Sequence, residues 1–129
     1  MEAYRILVVE DDQEILDGVG IYLKNQGYTV FKALNGAEGL KILEQEEIHL
    51  AIVDIMMPVM DGYQVLRSIR DLEADHGIPE EEQVKVIMTT ALNDEENVKM
   101  AFDLGCSVYS GKPINKEKFD QALKKLGLI

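Results

Sequence analysis

Five short aliphatic and β-branched runs punctuate the chain: Ile6 to Val9, Tyr28 to Ala33, Leu50 to Val53, Val84 to Thr89 and Ser107 to Tyr109. Their length and β-branched content suit strands. Three are apolar almost throughout instead of alternating, the pattern of strands covered on both faces of a parallel sheet. Between the runs the apolar period changes. Ile15, Val19 and Leu23 recur at the three-to-four spacing of one helix face, as do Ala37, Leu40 and Leu43, then Leu66, Ile69 and Leu72. Val98, Ala101 and Leu104 continue the pattern, followed by Phe119, Leu123 and Leu126. Asn35 with Glu38, and Asn93 with Glu96, supply the polar residue and later carboxylate that satisfy free amides at a helix start.

The result is a strand-helix unit repeated five times. Right-handed crossovers turn such a series into an α/β three-layer sandwich, a five-stranded parallel sheet with five helices, whereas a closed barrel needs eight units. The chain, residues 1–129, has the usual length of one domain, and it carries no internal repeat. Asp71 to Gln83, acidic and interrupted by Gly77 and Pro79, is predicted to be a solvated connection, with a partner-binding role for its charges as the alternative.

Composition narrows the function classes. With 47% hydrophobic and 29% charged residues the chain is not of the disordered or fibrous type. Asp and Glu number 24 against 13 Lys and Arg, and a net charge of −11 repels nucleic-acid phosphates and anionic lipid alike. No direct nucleic-acid contact is expected. Ile6 to Val9 is too short for a signal peptide or membrane span, and a single cysteine, Cys106, cannot form an internal disulfide. A cytoplasmic location without membrane insertion is the expectation. Cys106 is read as a core residue, and Tyr63, His49 and His76 show no pairing that suggests catalysis.

Polar groups that follow the strands of a parallel sheet converge at one edge, where ligands bind. Glu10-Asp11-Asp12 follows the first run, Asp54 the third, Thr90 the fourth and Lys112 the fifth. Clustered carboxylates repel one another and call for a cation, and oxygen ligands without His or Cys suit Mg²⁺. Lys112 and the Thr90 hydroxyl add a charge and a donor for an anion. Together the groups fit phosphoryl transfer, with Asp54 as the carboxylate nucleophile and the others stabilising the oxygens of the transferring group. Each has a plainer reading: a solvated helix entrance for Glu10 to Asp12, a strand-end charge for Lys112, a strand former for Thr90. Asp54 is harder to explain that way, because it ends an apolar strand and precedes Ile55-Met56-Met57-Pro58.

These segments resemble the receiver domains of two-component response regulators, the CheY-like proteins, along essentially the whole chain. Ile6-Leu7-Val8-Val9-Glu10-Asp11-Asp12 is similar to the family's first strand and acidic pocket. Asp54-Ile55-Met56-Met57-Pro58-Val59-Met60-Asp61-Gly62 resembles its phosphoacceptor segment, while Met88-Thr89-Thr90-Ala91 and Tyr109-Ser110-Gly111-Lys112-Pro113 resemble the two remaining signatures. The resemblance implies the strand order 2-1-3-4-5, and a signalling switch that is not a conventional enzyme. Asp54 would take a phosphoryl group from a histidine kinase or histidine phosphotransfer protein. Asp11, Asp54 and the backbone carbonyl of Met56 would bind Mg²⁺ directly and Glu10 through water. Thr90 and Lys112 would grip the phosphoryl oxygens, and Tyr109 would be the aromatic switch residue. The readout would lie on the fourth helix, fifth strand and fifth helix, about Asp94 to Leu126, where a downstream effector protein or a second copy in a phosphorylation-driven homodimer would dock.

The resemblance also implies that Met56 and Leu92 occupy variable positions at which polar side chains can help orient an attacking water; both are apolar here, so slow self-dephosphorylation is expected. The chain ends at Leu126-Gly127-Leu128-Ile129, just after the fifth helix; if complete, it must signal through another protein, and the alternative is a piece of a longer regulator. A haloacid-dehalogenase-type phosphohydrolase would need a second Asp where Met56 stands. A nucleotide or flavin module would need a glycine-rich loop where Glu10-Asp11-Asp12-Gln13 stands. A receiver-like interaction domain that works without phosphorylation is the remaining alternative.

Overall fold

The computed structural model describes residues 4–55, 57, 60–90, 95–111 and 116–127, with the side chains of 95–97 left aside. Five strands, β1 (Arg5–Val9), β2 (Thr29–Ala33), β3 (Leu50–Asp54), β4 (Lys85–Thr90) and β5 (Val108–Gly111), form one sheet in the order β2-β1-β3-β4-β5. Every pairing is parallel. The helices are α1 (Gln13–Asn25), α2 (Gly36–Gln45), α3 (Gly62–Asp75), α4 (Glu95–Asp103) and α5 (Lys116–Lys125), with one 3-10 turn at Glu80–Glu82.

Alternate strand residues feed two cores. Leu7, Val9, Ala51, Val53 and Met88 pack with Val65, Leu66 and Ile69 of α3 and Ala101 of α4, and α2 adds Leu40 and Leu43. On the opposite face Ile6, Val8, Leu50, Ile52 and Ile87 meet Leu16 and Leu23 of α1 and Phe119 and Leu123 of α5. Covering both faces is what makes the strands apolar throughout.

Three expectations need correction. Ile15 is 42% exposed and Leu16 is buried in its stead, while Leu23 is buried and Val19 packs against the core as expected. Ala37 is also exposed: α2 buries Gly36 and Gly39. A Cβ on Gly39 would lie 2.8 Å from Val9 Cγ2, so the missing side chain lets α2 approach the sheet closely. The third correction concerns Asp71 to Gln83. Its first third completes α3, and Glu73 there is buried, 5% exposed. The Glu73 carboxylate accepts the Val84 amide at 2.7 Å and pairs with Arg70 at 2.7 Å. Arg70 also donates to the carbonyls of Val84 and Gly105. A buried ionic clamp thus ties α3 to the start of β4 and to the turn before β5.

Helix starts are marked by side chains. Asn35 accepts from the Glu38 amide, while the Glu38 carboxylate accepts from Leu34. Asp12 caps α1 by accepting from the Glu14 and Ile15 amides. Asp61 and Gln64 form a reciprocal capping box at α3 that the sequence reading did not single out, although an acidic residue followed three places on by Gln is its signature. Asn93 and the side chain of Glu96 lie outside the described residues.

Candidate functional site

Because every strand runs the same way, the carboxyl ends of β1, β3, β4 and β5 share one edge. Val9 is in register with Val53, Asp54 with Thr89, and Thr90 with Gly111. Asp54 and Thr90 are the last residues of their strands, each one place beyond the strand end predicted from sequence. Glu10 follows β1, its amide held by the Ala33 carbonyl at 3.1 Å.

Three carboxylates gather there. Each of Glu10, Asp11 and Asp54 offers an oxygen, and these oxygens all lie within 4.8 Å of one another. Glu10 and Asp54 are buried, at 4% and 1% exposure, whereas Asp11 faces solvent. Like charges brought this close disfavour one another, which a cation between them relieves. An oxygen-only donor set with one open, solvated side suits a hard divalent cation that keeps some of its water, such as Mg²⁺. Asp12, next in sequence, does not join the cluster, since its carboxylate is spent on the start of α1.

The backbone after Asp54 is fastened on two sides. The Ile55 amide donates to the Thr89 carbonyl at 2.9 Å, and the Ile55 carbonyl accepts from Gly62 at 3.0 Å. A Cβ on Gly62 would sit 2.6 Å from the Asp54 carbonyl oxygen and 2.7 Å from Ile55 Cα. Glycine therefore lets the first residue of α3 press against the backbone that carries Asp54. Sequence reasoning noted Gly62 within a motif but not this contact, because a close approach depends on tertiary placement.

Thr90 is fully buried at the end of β4, beside Thr89, whose hydroxyl lies 3.5 Å from the Val53 carbonyl. Tyr109 is half-buried against the α3-side core, in register with Met88. Lys112, Met56 and Leu92 lie outside the described residues; Lys112 directly follows Gly111, the residue paired with Thr90.

Cys106 stands apart from this edge. It packs in the core, and burial raises its thiol pKa from the ordinary 9.0 to about 11, with nearby Arg70 opposing part of the rise. Since the reactive form is the thiolate, native Cys106 should alkylate about 100-fold more slowly at pH 8 than the urea-unfolded chain. Equal rates would contradict its burial. By the same linkage, the stability gained from keeping this thiol neutral is complete below pH 9 and is lost as pH rises toward 11.

No described helix is long and apolar enough to cross a membrane. The profile of the response regulator receiver domain matches residues 6–124. The regulatory protein VanR of Enterococcus faecium is 38% identical over 109 residues, covering 84% of this chain and 43% of VanR. The chain spans about half the length of the curated relatives it matches. Among solved structures, a CheY-like receiver domain protein from Methanospirillum hungatei is 33% identical, with a TM-score of 0.77 over 96% of this chain and 99% of that one. The receiver domain of Saccharomyces cerevisiae Ssk1, crystallised with the histidine phosphotransfer protein Ypd1, is 27% identical, with a TM-score of 0.85 over 92% of this chain and 85% of that one. The parallel 2-1-3-4-5 sheet, the acidic cluster at its carboxyl edge and a profile match along nearly the whole sequence agree: the chain belongs to the response regulator receiver domain family.

Proposed function

We propose that the protein is a phosphorylation-dependent switch in which Asp54 accepts a phosphoryl group from a phosphohistidine of a kinase or phosphotransfer protein. The observation that carries this reading is the cluster itself: buried Asp54 at a strand end, with carboxylate oxygens of Glu10 and Asp11 within 4.8 Å. The Ssk1 receiver domain, crystallised with a histidine phosphotransfer protein, supports that class of donor.

Glu10, Asp11 and Asp54, with the Met56 carbonyl, are the groups that would hold Mg²⁺. The bound ion would supply charge neutralisation for the incoming phosphoryl oxygens. In the transfer the P–N bond of the donor breaks as a bond from phosphorus to an Asp54 carboxylate oxygen forms. The close fastening of Ile55 to β4 and α3 holds the nucleophile in place, so positioning supplies much of the rate. Thr90 donates a hydrogen bond from its hydroxyl to a phosphoryl oxygen, and Lys112 places its ammonium beside another. The added charge of roughly −1.5 to −2 draws both inward, and Tyr109 turns into the space left beside Thr90. A covalent group shifts the equilibrium only by its differential interaction with the two arrangements, so a minor active population exists before phosphorylation. The output is a protein contact on the α4-β5-α5 face. The domain itself touches neither nucleic acid nor membrane.

Intact-mass analysis after incubation with a small-molecule phosphodonor tests this. One phosphoryl adduct is expected, dependent on Mg²⁺ and absent from Asp54→Ala. With apolar residues at sequence positions 56 and 92, the adduct should outlast minutes. No adduct in a folded sample, or an adduct on Asp54→Ala, would overturn the proposal, and loss within seconds would overturn its slow decay.

A further inference from the structure

At the opposite end of the sheet a cavity of about 510 Å³ opens between the carboxyl ends of α2 and α3 and the segments leading into β3 and β4. Its volume falls within the range of ligand clefts. Ile69 and Val84 form a buried floor, while Leu43, Ile48, Leu72 and Ile78 are only half-buried and leave apolar surface uncovered.

The rim is acidic: Glu44, Glu46, Glu47, Glu73 and Glu82 all line the cavity. Arg5 neutralises Glu46 and Arg70 neutralises Glu73, each at 2.7 Å. Among the described residues no Lys or Arg pairs with Glu44, Glu47 or Glu82, which are exposed; Glu47 has only His49 at 3.6 Å. Helix ends deepen the negative potential. Neither α2 nor α3 carries a basic residue in its last turn, whereas α1 ends with Lys24 and α5 with Lys124 and Lys125. Two helix carboxyl ends whose last turns carry no basic residue thus converge beside Glu44, Glu47 and Glu82, and although Arg5 reaches the Glu47 carbonyl at the end of α2, the arrangement favours a bound cation. His76 adds to this. A carbonyl can only accept, so Nδ1 of His76, 2.8 Å from the Leu72 oxygen, is the donor, and the ring's other nitrogen is left to meet a ligand at the cavity.

We infer that this cavity docks a basic, amphipathic peptide segment of a partner protein, whose apolar side chains cover Leu43, Ile48, Leu72 and Ile78 and whose Lys or Arg residues meet Glu44, Glu47 and Glu82. A simple polycation would leave the floor exposed, and the domain's net charge of −11 disfavours lipid or nucleic acid there. The five residues of β3 separate the cavity from Asp54 by roughly 16 Å, and the two places share no group. Docking here is therefore independent of the phosphoacceptor.

The test is an NMR titration of the ¹⁵N-labelled chain with a short amphipathic peptide of Leu and Lys. Two control peptides replace Lys by Glu, or Leu by Ser. Amide shifts are expected around Leu43, Ile48, Leu72 and Ile78, with unchanged affinity in Asp54→Ala. Affinity should fall about tenfold in Glu44→Gln/Glu47→Gln/Glu82→Gln, the loss of three exposed ion pairs. These three side chains are exposed, so the variant keeps its fold; Ile78→Gln probes the floor separately and should also weaken binding. The inference fails if no shifts appear, if they centre on another face, if either control peptide binds as tightly, or if the triple variant binds unchanged.

Discussion

Replacing Glu73 with alanine is expected to lower the unfolding free energy by ~3–5 kcal/mol, measured by urea denaturation with an unchanged slope. The residue is exposed on a helix-end surface by sequence pattern alone, yet it is buried and serves two partners. Removing it strips the Val84 amide of its acceptor and leaves the Arg70 guanidinium, 20% exposed, with only carbonyls around it. A buried charge without its counter-ion costs far more than the pair contributed when intact. Glu73→Gln should cost less, because an amide oxygen can still accept from Val84. Glu46 supplies the contrast. Its bond to Arg5 is equally short, 2.7 Å, but its side chain is 44% exposed, so Glu46→Ala should cost under ~1 kcal/mol. A similar cost for both would mean that water reaches Arg70 freely.

Gly62→Ala is expected to destabilise the domain by ~1–3 kcal/mol and, independently, to impair phosphoryl uptake at Asp54. The intrinsic preference points the other way, since alanine is the better helix former by up to ~1 kcal/mol. Sterics decide the sign. The atoms that a Cβ would meet, the Asp54 carbonyl oxygen at 2.6 Å and Ile55 Cα at 2.7 Å, are backbone and cannot rotate aside. Either α3 retreats or the end of β3 shifts, and a small misplacement of a nucleophile is costly in rate. Gly18 is the internal comparison: it lies within α1 with nothing inside 4 Å of an added Cβ. Gly18→Ala should therefore stabilise by ~0.5–1 kcal/mol. Thermal melts of the two variants, with adduct yield read by intact mass, check both signs; a neutral or stabilising Gly62→Ala would contradict the close contact.

The strands were legible because doubly covered β-strands are apolar at consecutive positions, as in Ile6-Leu7-Val8-Val9, and the structure places them in the expected sheet. The gathering of Glu10, Asp11 and Asp54 was legible for a related reason: parallel strands bring their carboxyl ends to one edge wherever they are neighbours. What failed were choices between adjacent residues. Ile15 and Leu16 are both apolar, and spacing alone does not say which of the two faces the sheet. Asp12 looked like one more pocket carboxylate, and only the helix amides in front of it reveal a cap. Glu73 was hidden because its partners are a backbone amide across a turn and an arginine on its own helix. Gly39 and Gly62 were hidden because the close approaches they permit exist only after the layers pack.

The strand order has a kinetic consequence. β1 is flanked by β2 and β3, and Ile6 finds its neighbours at Val30 and Leu50, so no hairpin can form early to shield it. Each pairing waits for a loop closure that includes a whole helix, and such non-local contacts slow folding. Until β3 arrives, the apolar run of β1 keeps a bare edge exposed to other chains. The interior position that later buries Ile6 to Val9 completely is thus also what leaves this segment open to misassociation while the chain folds.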